Sequence, residues 1–372
     1  MWLNFFKSLG IKTIVSPKTN REIIKLARAN SIDEACFSSK LFISHVKYLM
    51  DKCDQIFVPR IENTKIRRDY CARIFGVYDF VINTFPRAKL LHVNINYLYD
   101  EAELKAFIEI GATLGKCRDE SVKAYYNALA TSKLTKKANV LQQEELLACC
   151  PHAGGYDLNQ EMFYSIFSII YRATFDRDYL ADFIRKNIAF EVNKGDYEKC
   201  FNEYLQEVGQ VETANEAEII FEKHRRRIEA IPIDKPDNPI RIGVIGEIYV
   251  VIEPSVNCNL ERWLAENQVE IHRPTDWSSS TNGAISQAHQ MMQDGIDGII
   301  HIKSASCSPE ITGMSILQNM SSDYDVPIMF MTFDTTISEA GVHTVEAFYD
   351  MVVARKESNE IQHQKKERRA EY

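Results

Sequence analysis

Three cysteines stand where the pattern of the chain could make a thiolate reactive. Cys307 follows the apolar run Ile299–Lys303 by a few residues and precedes Pro309, a residue suited to the first turn of a helix. A thiol at that point would sit against backbone N–H groups and the positive end of a helix dipole, which favour its ionised form. Cys36, after Asp33-Glu34-Ala35, opens the stretch that contains His45, and Cys71 lies between Pro59 and the run leading to Phe80. All three are expected in strand-to-helix loops of two α/β domains, facing one another across a cleft. In open α/β sheets ligands bind beyond the carboxyl ends of the strands, where such loops converge. Three converging thiolates can hold a metal. The choices are a [4Fe-4S] cluster with one iron left open, or zinc with a fourth ligand such as His45 or His301. Their separations in sequence match no finger, knuckle or ferredoxin pattern, so spacing by itself does not establish the site.

Carboxylates come next. Glu34, Glu247 and Glu310 are the candidate substrate-binding residues, each close to a candidate cysteine or a strand end. A competing reading makes Glu247 and its neighbour Glu253 caps for nearby backbone amides, and Asp33 and Glu34 caps for the helix at Cys36. His301 lies within an apolar run and reads as a satisfied core histidine. Gly243 and Gly246 lack the third glycine of a dinucleotide fingerprint, and no GxxxxGK[ST] loop is present. The other cysteines, Cys53, Cys117, Cys149, Cys150, Cys200 and Cys258, read as small hydrophobes. Cys149 and Cys150 are adjacent and would point away from each other on a helix.

These groups are carried by a chain of 372 residues, 45% hydrophobic, with 44 Lys and Arg against 52 Asp and Glu for a net charge of −8. That composition is globular and predicts two or three domains. An acidic total without a basic stripe argues against nucleic-acid binding. No apolar run is long enough for a membrane helix, and the opening Met1-Trp2-Leu3-Asn4 segment is too interrupted for a signal peptide. Nine scattered cysteines without repeated CxxC pairs then suit a reducing cytoplasm better than a disulfide framework.

The elements that would position the site follow from the alternation of β-rich and helical runs. Over residues 1–100 strands are expected at Thr13–Pro17, Gln55–Pro59, Phe80–Phe85 and Leu90–Asn94, with a capping box of Thr19 and Glu22 opening a helix. Residues 101–238 read as a mainly helical middle, with helices over Glu101–Leu114, Ser121–Lys137, Asn159–Arg172 and Ala214–Ile231, closing in the proline-rich linker Ile231–Pro239. Residues 239–354 carry the clearest βα rhythm. Strands are expected at Ile240–Gly246, Val269–His272, Gly298–Lys303 and Pro327–Phe333, with helices at Asn259–Asn267, Ala284–Gln293, Pro309–Met320 and His343–Ala354. Residues 355–372 form a charged tail, expected to be a frayed helix or disordered. The fold class expected is α/β, with two doubly wound (Rossmann/flavodoxin-like) parallel-sheet domains joined by a largely helical middle region.

An ordered set of motifs resembles a known family. It comprises Asp33-Glu-Ala-Cys36 with Lys40-Leu41, Phe57-Val-Pro-Arg60, Tyr70-Cys71, Gly246-Glu-Ile-Tyr-Val-Val-Ile-Glu-Pro254, Asp297-Gly-Ile-Ile-His301, Cys307-Ser-Pro-Glu310, Ser315-Ile-Leu317, Glu339-Ala-Gly341 and Glu346-Ala-Phe348. Together these resemble the 2-hydroxyacyl-CoA dehydratase D-component superfamily, and within it the CoA-protein activase or acyl-CoA dehydratase activase-related proteins. The resemblance implies an iron-sulfur protein whose cluster is bound between α/β domains by Cys36, Cys71 and Cys307. It further implies one-electron, ketyl-radical chemistry on a 2-hydroxyacyl-CoA and a separate ATP-hydrolysing activator or electron donor; a partner segment or subunit is expected on a different ground, to cover the sheet edge that the family's first strand would otherwise occupy. The alternative is a non-catalytic α/β binding or scaffold protein that kept the fold. The chain departs from the family pattern at Ala72, where a proline commonly follows the second cysteine, at Asp334–Ser338 and at Trp277–Ser280. Relatives also begin with a strand before the segment matching Trp2–Leu9.

Overall fold

The computed structural model describes residues 1–62, 71–99, 102–129, 179–208, 214–274, 281–334 and 340–370. It is mixed α/β, with two parallel sheets among many helices. The chain divides into two compact units, one of residues 1–184 and 191–232, the other of residues 185–190 and 233–372. The expected helix Asn159–Arg172 lies outside the described residues.

In the first unit, helices α1 (Trp2–Ser8), α2 (Arg21–Asn30) and α3 (Phe37–Leu49) precede strand β1 (Ile56–Ile61). Helices α4 (Ala72–Phe75) and α5 (Val77–Thr84) lead to β2 (Leu90–Ile95), then α6 (Ala102–Thr113) and α7 (118–129). Strand β2 pairs in parallel with β1, Ile56 opposite Leu90 and Ile61 opposite Ile95. Each face of this pair is covered by apolar side chains, as a parallel sheet requires. Trp2, Phe5 and Phe6 of α1 pack with Val93, Ile95 and Phe107 on one side, while Phe42, Ile43 and Val46 of α3 pack with Ile56 and Val58 on the other. Helix α8 (Tyr179–Asn187) follows, and α9 (Asp196–Val208) packs beside α10 (Ala214–Glu229).

Two expected strands are absent here. Thr13–Pro17 is irregular, with Ile14 and Val15 exposed, so its β-branched run has no sheet to join. Phe80–Phe85 belongs to α5, whose Val81 is its buried residue; a short apolar run without alternation fits a helix as well as a strand. The capping box is also replaced. Asn20 caps α2 through its side-chain oxygen, which accepts from the Ile23 amide at 3.1 Å, while Thr19 Oγ1 instead meets His45 Nε2 at 3.1 Å.

The second unit holds a four-stranded parallel sheet of β3 (Ile240–Gly246), β4 (Val269–His272), β5 (Gly298–Ser304) and β6 (Ile328–Phe333), in the order β4-β3-β5-β6. Between them run α11 (Ile248–Ile252), α12 (Leu260–Glu266), α13 (Thr281–Gln293) and α14 (Ser308–Tyr324). Strand β5 is buried at every position, and Ile245, Ile299, Met291, Met292 and Leu317 fill the core between the sheet and α13 and α14. The last helix, α15 (Ala340–Ala370), runs on through residues expected to fray. Lys356 anchors it, bonding the Pro239 carbonyl at 2.7 Å and Asp297 at 2.8 Å. Among the described residues no helix is long and apolar enough to cross a membrane.

Candidate functional site

In the second unit the polar groups gather where β3 and β5 end. Gly246 closes β3 with φ of +125°, a region that L side chains avoid, and a Cβ there would lie 2.0 Å from the Ile302 carbonyl oxygen. That close approach lets the Glu247 amide donate to Ile302 O at 2.9 Å and turns the Glu247 side chain back over β5. Its carboxylate accepts from the Ser304 amide at 2.8 Å and from the Ser304 hydroxyl. Glu253 likewise accepts from the amide and hydroxyl of Ser255. Both carboxylates thus bind neighbouring backbone.

His301 and Lys303 alternate with Ile300 and Ile302 along β5 and therefore share one face. His301 is fully buried and its Nε2 lies 2.7 Å from Glu310 Oε2, on the first turn of α14. Lys303 is buried and donates weakly to the Ser304 carbonyl at 3.4 Å. Cys307 is the N-cap of α14, and Pro309 stands in the first turn. The loop-to-helix placement expected for Cys307 is the one observed.

In the first unit Cys36 is buried, is the N-cap of α3 and has its sulfur 3.1 Å from Ser39 Oγ. It follows the turn after α2 rather than a strand, so it sits in a helix-to-helix loop. Cys71 is half-buried directly before α4. Arg73 Nη2 reaches the Glu34 carbonyl at 3.5 Å, tying the turn before Cys36 to the helix after Cys71. The Glu34 side chain is exposed beside them. No sequence argument singled out the neighbouring cluster on β1 and β2. Arg60 pairs with Asp79 and lies 5.6 Å from the ring centres of Phe75 and Tyr78, and Tyr78 stacks on His92 at 3.5 Å. His92 Nδ1 donates to the Val58 carbonyl at 2.9 Å, which leaves Nε2 as the acceptor nitrogen.

The seven described cysteines form no disulfide. Burial pushes the Cys53 thiol pKa up, with Asp54 adding to it, and burial does the same for Cys258, so these two stay neutral. Among the described residues no group of three or more His, Cys, Asp or Glu side chains is placed to hold a metal ion. Within the first unit, however, two of the three candidate thiols open neighbouring helices, and thiols are the donors that iron-sulfur clusters take.

The fold and these loop-borne side chains define a mixed α/β protein with parallel sheets and polar groups gathered at strand and helix ends. Residues 1–161 match the family described as the CoA enzyme activase uncharacterised domain. The match supports the CoA-activase-related family over the segment that carries Cys36 and Cys71. Comparison with curated proteins gives no match.

Proposed function

We propose that this is an iron-sulfur protein related to 2-hydroxyacyl-CoA dehydratase components, in which Cys36, Cys71 and Cys307 are the ligands of a [4Fe-4S] cluster. The observation that carries the reading is that each of these cysteines directly precedes the first residue of a helix, inside or beyond a domain similar to CoA enzyme activases. Amides at a helix start stabilise a thiolate, and the thiolate is the form that binds iron. A bound cluster supplies one-electron transfer and a Lewis-acid iron for a thioester carbonyl. The protein's own part is to hold the thiols and to orient substrate. Glu34 is the candidate exposed to an incoming ligand, whereas Glu247 and Glu310 are engaged by Ser304 and His301 and position the loops around Cys307. With no phosphate-binding loop in the chain, ATP hydrolysis falls to a separate activator that donates the electron, and a partner subunit completes the system in the cytoplasm.

A second reading is a metal-free α/β binding or scaffold protein that kept the fold. Anaerobic purification followed by iron and acid-labile sulfide assay separates the two. The cluster reading expects both elements in [4Fe-4S] proportion, their loss in Cys36→Ser, Cys71→Ser or Cys307→Ser, and their retention in Cys53→Ser and Cys258→Ser. A folded wild-type protein without iron or sulfide overturns it.

A further inference from the structure

We propose that the open edge of β6 is the docking site for a second copy of this chain, paired strand to strand in antiparallel about a two-fold axis. The two edges of the second sheet differ. Strand β4 is four residues long, carries Glu270 and His272, ties Glu270 to Lys235 at 2.8 Å, and has the turn Ile188–Phe190 packed on it. Short length, charge and a covering segment are the usual protections of an edge strand. Strand β6 has none of these among the described residues. It runs six residues in unbroken register with β5, from Ile328 opposite Ile299 to Phe333 opposite Ser304. The stretch Val326–Phe333 contains no charged side chain.

The ladder shows which groups of β6 stay open. The Ile299 amide donates to the Pro327 carbonyl and the Ala305 amide to that of Phe333, so alternate residues from Pro327 to Phe333 turn their main chain toward β5. The amides and carbonyls of Ile328, Phe330 and Thr332 therefore point outward, and nothing among the described residues bonds them. Their side chains share one sheet face, Ile328 and Phe330 half-buried and Thr332 exposed. A two-fold through Phe330 sets Phe330 against its own copy and Ile328 against Thr332, and every outward amide then meets an outward carbonyl. Helix α14 lies over the same face, where Ile328 and Phe330 pack against the core that holds Leu317. It carries no charge from Ile311 to Ser322, and Ile311 and Ile316 are exposed. Charge selects the occupant. With a net charge of −8, two copies repel and meet best where neither is charged, whereas an oppositely charged partner finds nothing to pair with on this strip. A two-fold contact uses the β6 edge of both copies, so pairing stops at the dimer.

The test is the molar mass of the full-length protein by sedimentation velocity over a dilution series, with hydrogen exchange on the same samples. A dimer that dissociates on dilution, with the Ile328, Phe330 and Thr332 amides protected in the dimer and released in the monomer, supports the proposal. Thr332→Pro removes an outward amide without touching the bonds to β5, and edge strands tolerate proline there. Thr332→Lys places an ammonium in the charge-free strip. Each substitution acts twice across the two-fold and is expected to weaken the dimer about tenfold or more, with the far-UV circular dichroism unchanged. Adding Ile328→Glu to Thr332→Lys sets each lysine opposite a glutamate of the other copy and is expected to recover most of that loss; a folded double variant that recovers none overturns the register. The exchange measurement needs only the wild type and decides the case even if no variant folds. A wild type that is monomeric at every concentration, a dimer whose three amides exchange freely, or a dimer that both folded Thr332 variants leave unchanged overturns the proposal.

Discussion

His301 Nε2 lies 2.7 Å from Glu310 Oε2, joining the buried strand β5 to the first turn of α14. Both side chains are shut off from water, and His301 Nδ1 has no hydrogen-bond partner among the described residues. Removing the carboxylate would leave the imidazole without either bond. Glu310→Ala is therefore expected to cost about 2–4 kcal/mol in urea unfolding, and Glu310→Gln, which keeps a hydrogen-bonding oxygen, distinctly less. Equal losses in the two variants would mean that the pair does not hold the loop.

Gly246 is where the second sheet admits no side chain. Its φ of +125° and the 2.0 Å approach to the Ile302 oxygen penalise any Cβ twice, by backbone strain and by collision with main chain. Gly246→Ala is expected to lower stability by about 3 kcal/mol or more, or to give no soluble protein. Gly10, with φ of +71° and open space around it, is the control, and Gly10→Ala is expected to cost only about 1 kcal/mol. If both glycines respond alike, the close approach at Gly246 is not what the strand end requires.

Much of the second sheet was legible in the sequence because parallel strands covered on both faces read as unbroken apolar runs. Ile240–Gly246 and Gly298–Ser304 do so, each bounded by glycine or a polar turn. The first unit was harder. The run around Val81 has the length of one strand and also of two helical turns, and burial of Val81 against α3 decided for the helix. Thr13–Val15 has β-branched residues without a neighbouring strand, and local propensity does not make a sheet alone. The three cysteines were recognisable by their positions before helices. Lys303 carries a signal of its own, a lone charge in an otherwise apolar strand. The Arg60 cluster left none, because Asp79, Phe75 and Tyr78 meet it only after α4 and α5 fold back on β1.

Acid is expected to weaken the two units in separate windows. In the first, burial lowers the His45 pKa to about 4 from its ordinary 6.5, so the folded chain binds this proton less readily than the unfolded one. Its contribution is full above about pH 6.5 and is lost as the pH falls toward 4. In the second, burial pushes Glu270 up, but hydrogen bonds from His272 and Lys235, at 2.8 Å each, more than offset it and hold the carboxyl at about 2. A carboxylate held below its ordinary 4.5 stabilises the fold above that pH, and the contribution disappears between about 4.5 and 2. Each step amounts to roughly 2 kcal/mol once coupling to the neighbouring charges is allowed for. Urea midpoints measured from pH 8 to 2 are expected to fall in two stages, with His45→Gln flattening the upper and Glu270→Gln the lower. Hydrogen exchange places the upper stage in α3 and the lower in β4 if the assignments hold; an upper stage that persists unchanged in His45→Gln sinks the first, and a lower stage that persists in Glu270→Gln sinks the second.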